Sequence, residues 1–196
     1  MRLLALDALV RQVQSAPARA GTTRVLAIDG PAGSGKSTLA AQLAARLGAP
    51  VLAMDDIYPG WDGLAEAAPL LVRSVLQSLA LDRPAKYRRY DWTRHEYADL
   101  VDVPAVPMLV VEGCACGSRI VTPYLSLLLW VEAPEDVRFD RGIARDGETF
   151  RPYWERWARQ EDTLFAAEGT RERADHRVDG ARMAVHDPAE NVVLLD

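Results

Sequence analysis

The 196-residue chain lacks long apolar runs and any surplus of positive charge. No apolar run approaches the roughly 18 residues that a membrane-spanning helix needs. The formal net charge is −5 and the pI is about 5.3, whereas a general nucleic-acid binder carries a basic surplus. The composition, 49% hydrophobic and 26% charged, is ordinary for a globular protein that buries a core. We therefore expect a cytoplasmic protein with neither a nucleic-acid nor a membrane partner.

Cysteine is nearly absent as well. The two cysteines, Cys114 and Cys116, are separated by a single residue and offer no disulfide framework. The three histidines show no zinc spacing, so this pair would lack the further ligands that a metal site needs. We interpret both cysteines as small buried thiols.

Residues 1–15 carry an apolar stretch that Asp7 interrupts, and no small-residue cleavage site follows it promptly. We interpret this segment as an amphipathic N-terminal helix rather than as a signal peptide. The apolar positions that fit one helix face are Leu3, Leu6, Leu9, Val10 and Val13.

Lysine is the scarcest cation, with two lysines against twenty-one arginines, and one of the two lies in the string GPAGSGKST at residues 30–38. This string matches the phosphate-loop pattern G-x-x-x-x-G-K-[ST] between a buried strand and a helix. Glycines let backbone N–H groups turn toward a phosphate, and the Lys36 ammonium is a mobile point charge that arginine replaces poorly. The Ser37 hydroxyl is suited to Mg²⁺. We predict a nucleoside triphosphate with Mg²⁺, held by Gly30, Ala32, Gly33, Ser34, Gly35, Lys36, Ser37 and Thr38.

A phosphate loop identifies the phosphoryl donor and leaves the acceptor open. The chain has one asparagine, Asn191, which no lysine follows, so the Asn-Lys-x-Asp motif of GTPases is missing. This argues against a GTP switch. The small size of the chain favours a small-molecule kinase over a GTP switch.

Short apolar runs alternate with helical periodicity along the whole chain, which is typical of a parallel sheet covered on both faces. We predict one α/β domain over residues 1–196, with a P-loop NTPase three-layer α/β/α fold, a mostly parallel five-stranded sheet and a small lid. Residues 57–104 are expected to form an acceptor-binding insertion and residues 138–152 the lid. The segment at 87–97 is predicted to be irregular. The predicted strands are 24–28, 51–54, 108–112, 125–131 and 192–195, and the predicted helices after the first are 36–47, 69–80, 134–146 and 152–168.

Two adjacent carboxylates, Asp55 and Asp56, follow the second predicted strand. Ligands of open α/β sheets lie beyond the carboxyl ends of the strands. A carboxylate there can accept the proton of an attacking hydroxyl. Which of the two is the base stays open at this point.

From about residue 24 to about 180 the chain resembles the uridine kinase branch of the P-loop kinases, the nucleoside kinase and phosphoribulokinase-like group. Asp55, Ile57 and Tyr58 match an Asp-x-x-Tyr motif, and the resemblance implies Asp55 as the base and Tyr58 as a substrate contact. Trp61–Asp62 resembles an aromatic-Asp pair, which implies that Asp62 binds ribose hydroxyls. The string YDWTRH at 90–95 resembles a Tyr-Asp-aromatic-x-x-His motif, which implies that Tyr90 and His95 contact a nucleobase.

The later motifs of the same family concern the donor. Val111–Glu112–Gly113 resembles a strand end whose Glu lies near the metal, which implies Ser37 and Glu112 as the metal residues. The lid arginines of the family match Arg138, Arg141 and Arg145, followed by Asp146. The resemblance implies that Arg141 and Arg145 act in catalysis and that Arg138 contacts the nucleotide, neutralising charge on the phosphoryl group. The stretch from Ala174 to Gly180 resembles the one that ends near the adenine pocket.

The chain departs from the family at Tyr97, where the family usually has arginine, and this leaves the acceptor open. An ATP- and Mg²⁺-dependent kinase of a nucleoside such as uridine or cytidine is the expected function. The alternatives are a kinase of another hydroxyl metabolite and a nucleotide-binding regulator with little catalysis. Assembly into a homo-oligomer is compatible with each of these functions. Simpler interpretations remain for several of these residues. Tyr90, Trp92 and Tyr97 could pack a loop, and Trp154 and Trp157 could belong to the core. The arginines could lie on a solvated helix face.

Overall fold

The computed structural model describes residues 2–147, 150–182 and 190–195, and the side chain of Asp146 and residues 148–149 of the predicted lid lie outside that description. The strands are β1 Arg2–Ala5, β2 Arg24–Asp29, β3 Val51–Ala53, β4 Ala85–Asp91, β5 Glu96–Val103, β6 Met108–Glu112, β7 Leu127–Glu132, β8 His176–Asp179 and β9 Asn191–Leu194. The helices are α1 Leu6–Ser15, α2 Lys36–Leu47, α3 Leu64–Leu71, α4 Gln77–Leu79, α5 Glu135–Asp146, α6 Trp154–Glu168 and α7 Thr170–Arg173.

Seven strands form the main sheet in the order β1-β9-β8-β7-β2-β6-β3. The pairs among β3, β6, β2, β7 and β8 are parallel, and β9 and β1 add an antiparallel edge. The mostly parallel α/β architecture is confirmed, but the expectation of five strands was wrong. Sequence reasoning missed two strands of this sheet. It assigned β1 to the N-terminal helix at 1–15, but that helix begins at Leu6 and residues 2–5 form an exposed edge strand. It missed β8 because that strand reads His-Arg-Val-Asp and has a weak apolar signal.

A separate two-stranded sheet, β4-β5, occupies the segment at 87–97 that was predicted to be irregular. Its charged residues alternate with tyrosines and aliphatics, and its exposed face carries ion pairs such as Lys86–Asp102 and Arg89–Asp99. This hairpin lies within the predicted insertion, between α4 and β6.

The predicted helix at 69–80 begins earlier, at Leu64, with Pro69 inside the first helical segment. A π-helical segment, Val72–Leu76, then connects α3 to α4. The helix predicted from residue 152 begins at Trp154, after a short 3-10 turn at Arg151–Tyr153. None of the described helices is long and apolar enough to cross a membrane.

The sheet separates two cores, because successive side chains of a strand point to opposite faces. On β2, Leu26 and Ile28 pack with the buried face of α1 and α2. Val25 and Ala27 pack on the other side with the α3–α4 segment, part of the hairpin and Trp157 of α6. The carboxyl ends of β2, β3 and β6 therefore open between the phosphate loop, the hairpin and α6.

Candidate active site

The phosphate loop connects β2 to α2 through backbone that only glycine adopts readily. Gly30, Gly33 and Gly35 have φ of +142°, +76° and +104°, in the region that disfavours other residues. A Cβ at Gly30 would collide with the Val131 carbonyl oxygen, and one at Gly33 with that of Arg138. These close approaches explain the glycine spacing on which the sequence prediction rested. Thr38 lies exposed in the first turn of α2, and Ser34 is buried beneath the loop.

Lys36 is buried at the first position of α2. Its Nζ donates a hydrogen bond of 2.9 Å to the Pro31 carbonyl oxygen, within its own loop. Burial by itself would lower the pKa of Lys36, but the charges of the neighbouring Glu161 and Glu112 carboxylates act in the opposite direction, and the pKa lies above its ordinary value. The Lys36 side chain is therefore a charged ammonium beside the backbone of the phosphate loop.

Ser37 and Glu112 bring two oxygen ligands together at the same edge of the sheet. The Ser37 hydroxyl donates to Glu112 Oε1 at 3.0 Å, which joins α2 to the end of β6. Burial raises the pKa of Glu112, and the nearby Lys36 opposes that rise. A hydroxyl and one carboxylate suit Mg²⁺, which keeps several waters and takes its remaining ligands from phosphate oxygens. The described residues include no group of three or more His, Cys, Asp or Glu able to hold a metal by themselves.

Asp55 and Asp56 share a 3-10 turn after β3 but have different surroundings. Asp55 lines a cavity of about 800 Å³ that also contains Lys36, Ser37 and Glu112. Asp56 Oδ2 instead accepts a hydrogen bond of 2.9 Å from the Tyr87 hydroxyl, on the hairpin. The geometry therefore favours Asp55 as the carboxylate that faces a substrate.

The hairpin fixes the turn that carries Asp55 with two further hydrogen bonds. Trp92 Nε1 donates to the Asp55 carbonyl oxygen at 2.8 Å, and the Tyr97 hydroxyl donates to the Ile57 carbonyl oxygen at 3.2 Å. Tyr97, the position that departs from the family, thus binds backbone in this structure. No signal in the sequence predicted that contact, since it joins segments far apart in the chain.

Aromatic side chains form one wall of the cavity that also contains Lys36 and Ser37. Trp61 stacks on Tyr153 with a centroid distance of 4.5 Å and an angle of 4° between the rings, and on Phe150 at 5.4 Å. Its ring also lies 4.7 Å from that of Trp92. Trp157 packs edge-on against Tyr58 at 5.0 Å and lines the cavity as well, so it is more than a core residue. Such a wall fits a flat or apolar ligand body.

The predicted acceptor residues are placed differently from one another. Tyr58 and His95 line the cavity, although the Tyr58 hydroxyl donates to the Cys114 carbonyl oxygen at 2.9 Å. Asp62 is ion-paired with Arg156 of α6. Tyr90 packs edge-on against Trp92 and Tyr97. Neither Asp62 nor Tyr90 is among the described residues that line the cavity.

The three predicted lid arginines also differ. Arg145 lines the cavity, and its charge acts on Glu112. Arg138 donates to the carbonyl oxygens of Ala133 and Ala32, at 3.1 and 3.3 Å. Arg141 donates to the Gly180 carbonyl oxygen at 3.1 Å. Of the three, Arg145 has the position expected of a residue that meets a transferring phosphoryl group.

Two buried acids escaped sequence reasoning. Asp29 ends β2 and accepts hydrogen bonds from the N–H groups of Gly30, Ala115 and Gly117 at 2.7, 3.1 and 2.8 Å. Full burial raises its pKa to about 6, and these hydrogen bonds limit the rise. Glu161 lies on α6, and burial raises its pKa too, opposed by Lys36. A buried strand ending in Asp29 beside the first loop glycine was a usable signal, whereas Glu161 sits in an ordinary amphipathic helix.

Cys114 and Cys116 are both buried free thiols, as the sequence suggested. Cys114 Sγ lies 3.0 Å from Glu161 Oε1, 3.2 Å from the Gly30 carbonyl oxygen and 3.8 Å from Lys36 Nζ. Burial raises the pKa of both thiols well above their ordinary value, so they are neutral packing groups beneath the loop.

Comparisons with known proteins agree with this description at the level of the fold. The cytidylate kinase family model matches residues 26–68, from the phosphate loop to the start of the insertion. A Bacillus stearothermophilus structure, described as a possible uridine kinase, has a TM-score of 0.64 and 22% identity, over 88% of this chain and 96% of that one. A Silicibacter sp. TM1040 structure, described as a putative fructose transport system kinase, has a TM-score of 0.54 and 22% identity, over 87% of this chain and 95% of that one. No curated protein matches the chain. The resemblance to the P-loop kinases is confirmed, and the chain has their fold.

Proposed function

We propose that this chain is an ATP- and Mg²⁺-dependent kinase that transfers a phosphoryl group to a hydroxyl of a small molecule, with a nucleoside as the acceptor. One observation carries the proposal: a single cavity contains the phosphate-loop lysine, the Ser37–Glu112 oxygen pair and the Asp55 carboxylate. The groups suited to the donor and to the acceptor thus line one cavity. The structures described as a possible uridine kinase and as a putative fructose transport system kinase are consistent with this class of reaction.

The position of each residue supports the role that we assign to it. The loop N–H groups and Lys36 bind the phosphates, and Ser37 and Glu112 would hold Mg²⁺, which neutralises phosphate charge when it is bound. Asp55 orients the acceptor hydroxyl and accepts its proton. Arg145 adds positive charge where the transferred group passes. The aromatic wall binds the body of the acceptor and excludes water, which limits hydrolysis of ATP.

A hydroxyl metabolite other than a nucleoside is the second candidate, and one observation favours it. The two residues that the family resemblance assigns to ribose and base, Asp62 and Tyr90, are engaged with Arg156 and with other aromatic rings. The cavity wall is instead made of rings such as those of Trp61 and Trp92. A flat hydroxyl compound without a ribose would fit these contacts equally well.

An acceptor screen tests the proposal. We expect ADP release from ATP and Mg²⁺ to be stimulated by one member of a panel that starts with the common nucleosides and continues with other hydroxyl metabolites. With that acceptor, Lys36→Ala and Asp55→Asn should lower kcat by roughly 100-fold or more, because phosphate binding and proton acceptance are lost.

Asp56→Asn is the matched control for Asp55→Asn, since it removes the same charge one residue away. We expect it to retain most of the activity, because the Asp56 carboxylate binds Tyr87 rather than facing the cavity. Full turnover by Asp55→Asn would refute the assignment of the base. Tight ATP binding with no stimulated ADP release across the panel would favour the nucleotide-binding regulator instead.

A further inference from the structure

Two consecutive peptide units of the phosphate loop are held by charged side chains that come from outside the loop. The Ala32 N–H donates to Glu161 Oε1 at 2.7 Å. The Ala32 carbonyl oxygen accepts from Arg138 Nη1 at 3.3 Å. Arg138 Nη1 also lies 3.8 Å from Glu161 Oε2, which makes the two side chains an ion pair. Both backbone polar groups of Ala32 are thus hydrogen-bonded to charged side chains.

The first of these peptide units also binds the catalytic lysine. The Ala32 N–H and the Pro31 carbonyl belong to the same planar peptide group, and the Pro31 oxygen accepts the hydrogen bond from Lys36 Nζ at 2.9 Å. A trans peptide directs its N–H and its C=O to opposite sides. The peptide therefore lies between an oxygen of Glu161 that accepts from its N–H and the Lys36 ammonium that donates to its carbonyl oxygen, and both hydrogen bonds favour the same orientation of the peptide.

Burial makes this arrangement well defined. The side chains of Glu161 and Arg138 are only 3% and 14% exposed. Glu161 Oε1 accepts two further hydrogen bonds, from Trp157 Nε1 at 2.8 Å and from Cys114 Sγ at 3.0 Å, so its position is determined by three donors. Arg138 belongs to α5, whose backbone touches the loop at Gly33, where a Cβ would collide with the Arg138 carbonyl oxygen.

We propose that Glu161 is a positioning residue of the nucleotide site: through the Pro31–Ala32 peptide it sets the place of the Lys36 ammonium, and Arg138 fixes the next peptide unit. The proposal rests on the proposed function in that it takes ATP as the ligand of the loop. It gives Arg138 a role different from the nucleotide contact that the family resemblance implies. By this means α5, which carries the first part of the predicted lid, and α6, which follows the lid, are both joined to the phosphate loop at Ala32.

The test compares the affinities of two nucleotides, because a phosphate-loop lysine reaches between the β- and γ-phosphates. Wild type is expected to bind MgATP more tightly than MgADP, and the ratio of the two dissociation constants reports where the ammonium lies. Calorimetry on the full chain gives both constants without an acceptor. Thermal unfolding of each variant establishes that it is folded at the temperature of the titration.

Two variants separate hydrogen bonding from charge. Glu161→Gln keeps an oxygen at the same reach and loses the charge, so we expect the ratio to stay within about threefold of wild type. Glu161→Asp keeps the charge but retracts the carboxylate by one methylene from the Ala32 N–H, so we expect the preference for ATP to fall roughly tenfold. Asp162→Asn, an exposed neighbour on α6, is the charge-matched control and should change nothing.

The opposite order, with Glu161→Gln damaging and Glu161→Asp neutral, would overturn the positioning role in favour of a simple countercharge. Equal losses of affinity for MgATP and MgADP would overturn it in favour of a purely structural role, as would an unchanged ratio in both variants. Failure of the wild type to bind MgATP would overturn the proposed function together with this inference. Intact binding without phosphate transfer to any acceptor would contradict the proposed function alone, because the nucleotide ratio needs no acceptor.

Discussion

The two ends of the cavity are built in different ways. At the phosphate end, charged and polar groups bind backbone that belongs to a few neighbouring segments, as Lys36 does with Pro31 and Asp29 does with Gly30. At the acceptor end, rings from distant segments pack on one another: Trp61 from the loop after β3, Trp92 from the hairpin, and Phe150 and Tyr153 from the segment before α6. The first end depends on hydrogen bonds to fixed backbone and the second on side-chain packing. Changes at the phosphate end should therefore affect folding and nucleotide binding together, whereas changes at the acceptor end should affect the acceptor alone.

The largest effect is expected at Asp29, where the phosphate end is coupled to folding. Its pKa is raised from 3.8 to about 6 by burial. A raised pKa means that the folded state holds the proton more tightly, so the stabilisation is fully present below pH 3.8 and is lost as pH rises through 6. The shift corresponds to about 3 kcal/mol. We expect the free energy of unfolding of wild type, relative to Asp29→Asn, to fall by up to that amount between pH 4 and pH 7.

Urea unfolding of both proteins across this pH range measures the difference, in which contributions from Glu112 and Glu161 largely cancel. Asp102→Asn is the control, because Asp102 is exposed on the hairpin and paired with Lys86. It should give a difference that stays small at every pH. A difference in the free energy of unfolding between wild type and Asp29→Asn that is constant from pH 4 to pH 7 would contradict the raised pKa of Asp29.

The second-largest effect is expected at Trp61. A substitution there tests whether the acceptor end of the cavity is independent of the phosphate end. Trp61→Ala removes the ring that stacks on Tyr153 and Phe150. An aromatic contact contributes on the order of 1 kcal/mol beyond its buried area, so we expect the KM of the acceptor to rise roughly tenfold. The dissociation constant of ATP should change less than about twofold, because the rings that Trp61 contacts belong to the hairpin, to the segment before α6 and to α6 itself.

Trp61→Phe is the conservative variant and should recover most of the lost affinity, since it restores a ring that can stack. Steady-state kinetics with each substrate varied in turn provides both constants. An equal change in the dissociation constant of ATP and in the KM of the acceptor would show that the phosphate end and the acceptor end are coupled.

The same contrast explains how much of the molecule could be predicted from the sequence. The phosphate loop is one contiguous string whose glycines are required by local backbone geometry, so its place between β2 and α2 could be predicted. The turn with Asp55 follows from its position after a strand. In contrast, the partners of Asp62 and Tyr97 are set by tertiary packing, and the strands β1 and β8 lack buried apolar runs. Glu161 reaches the loop only because α6 folds back over it, which no local pattern indicates.

The smallest effect distinguishes two arginines that the family resemblance treats alike. Arg145 lines the cavity near Glu112, whereas Arg141 binds the Gly180 carbonyl oxygen. Because Arg145 is exposed, its charge acts through a medium close to water and contributes only about 1 kcal/mol. We therefore expect Arg145→Met to lower kcat by roughly fivefold and Arg141→Met by less than about twofold, measured as ADP release at saturating ATP and acceptor. If Arg141→Met lowered kcat more than Arg145→Met did, the phosphate end of the cavity would extend along α5 to Gly180.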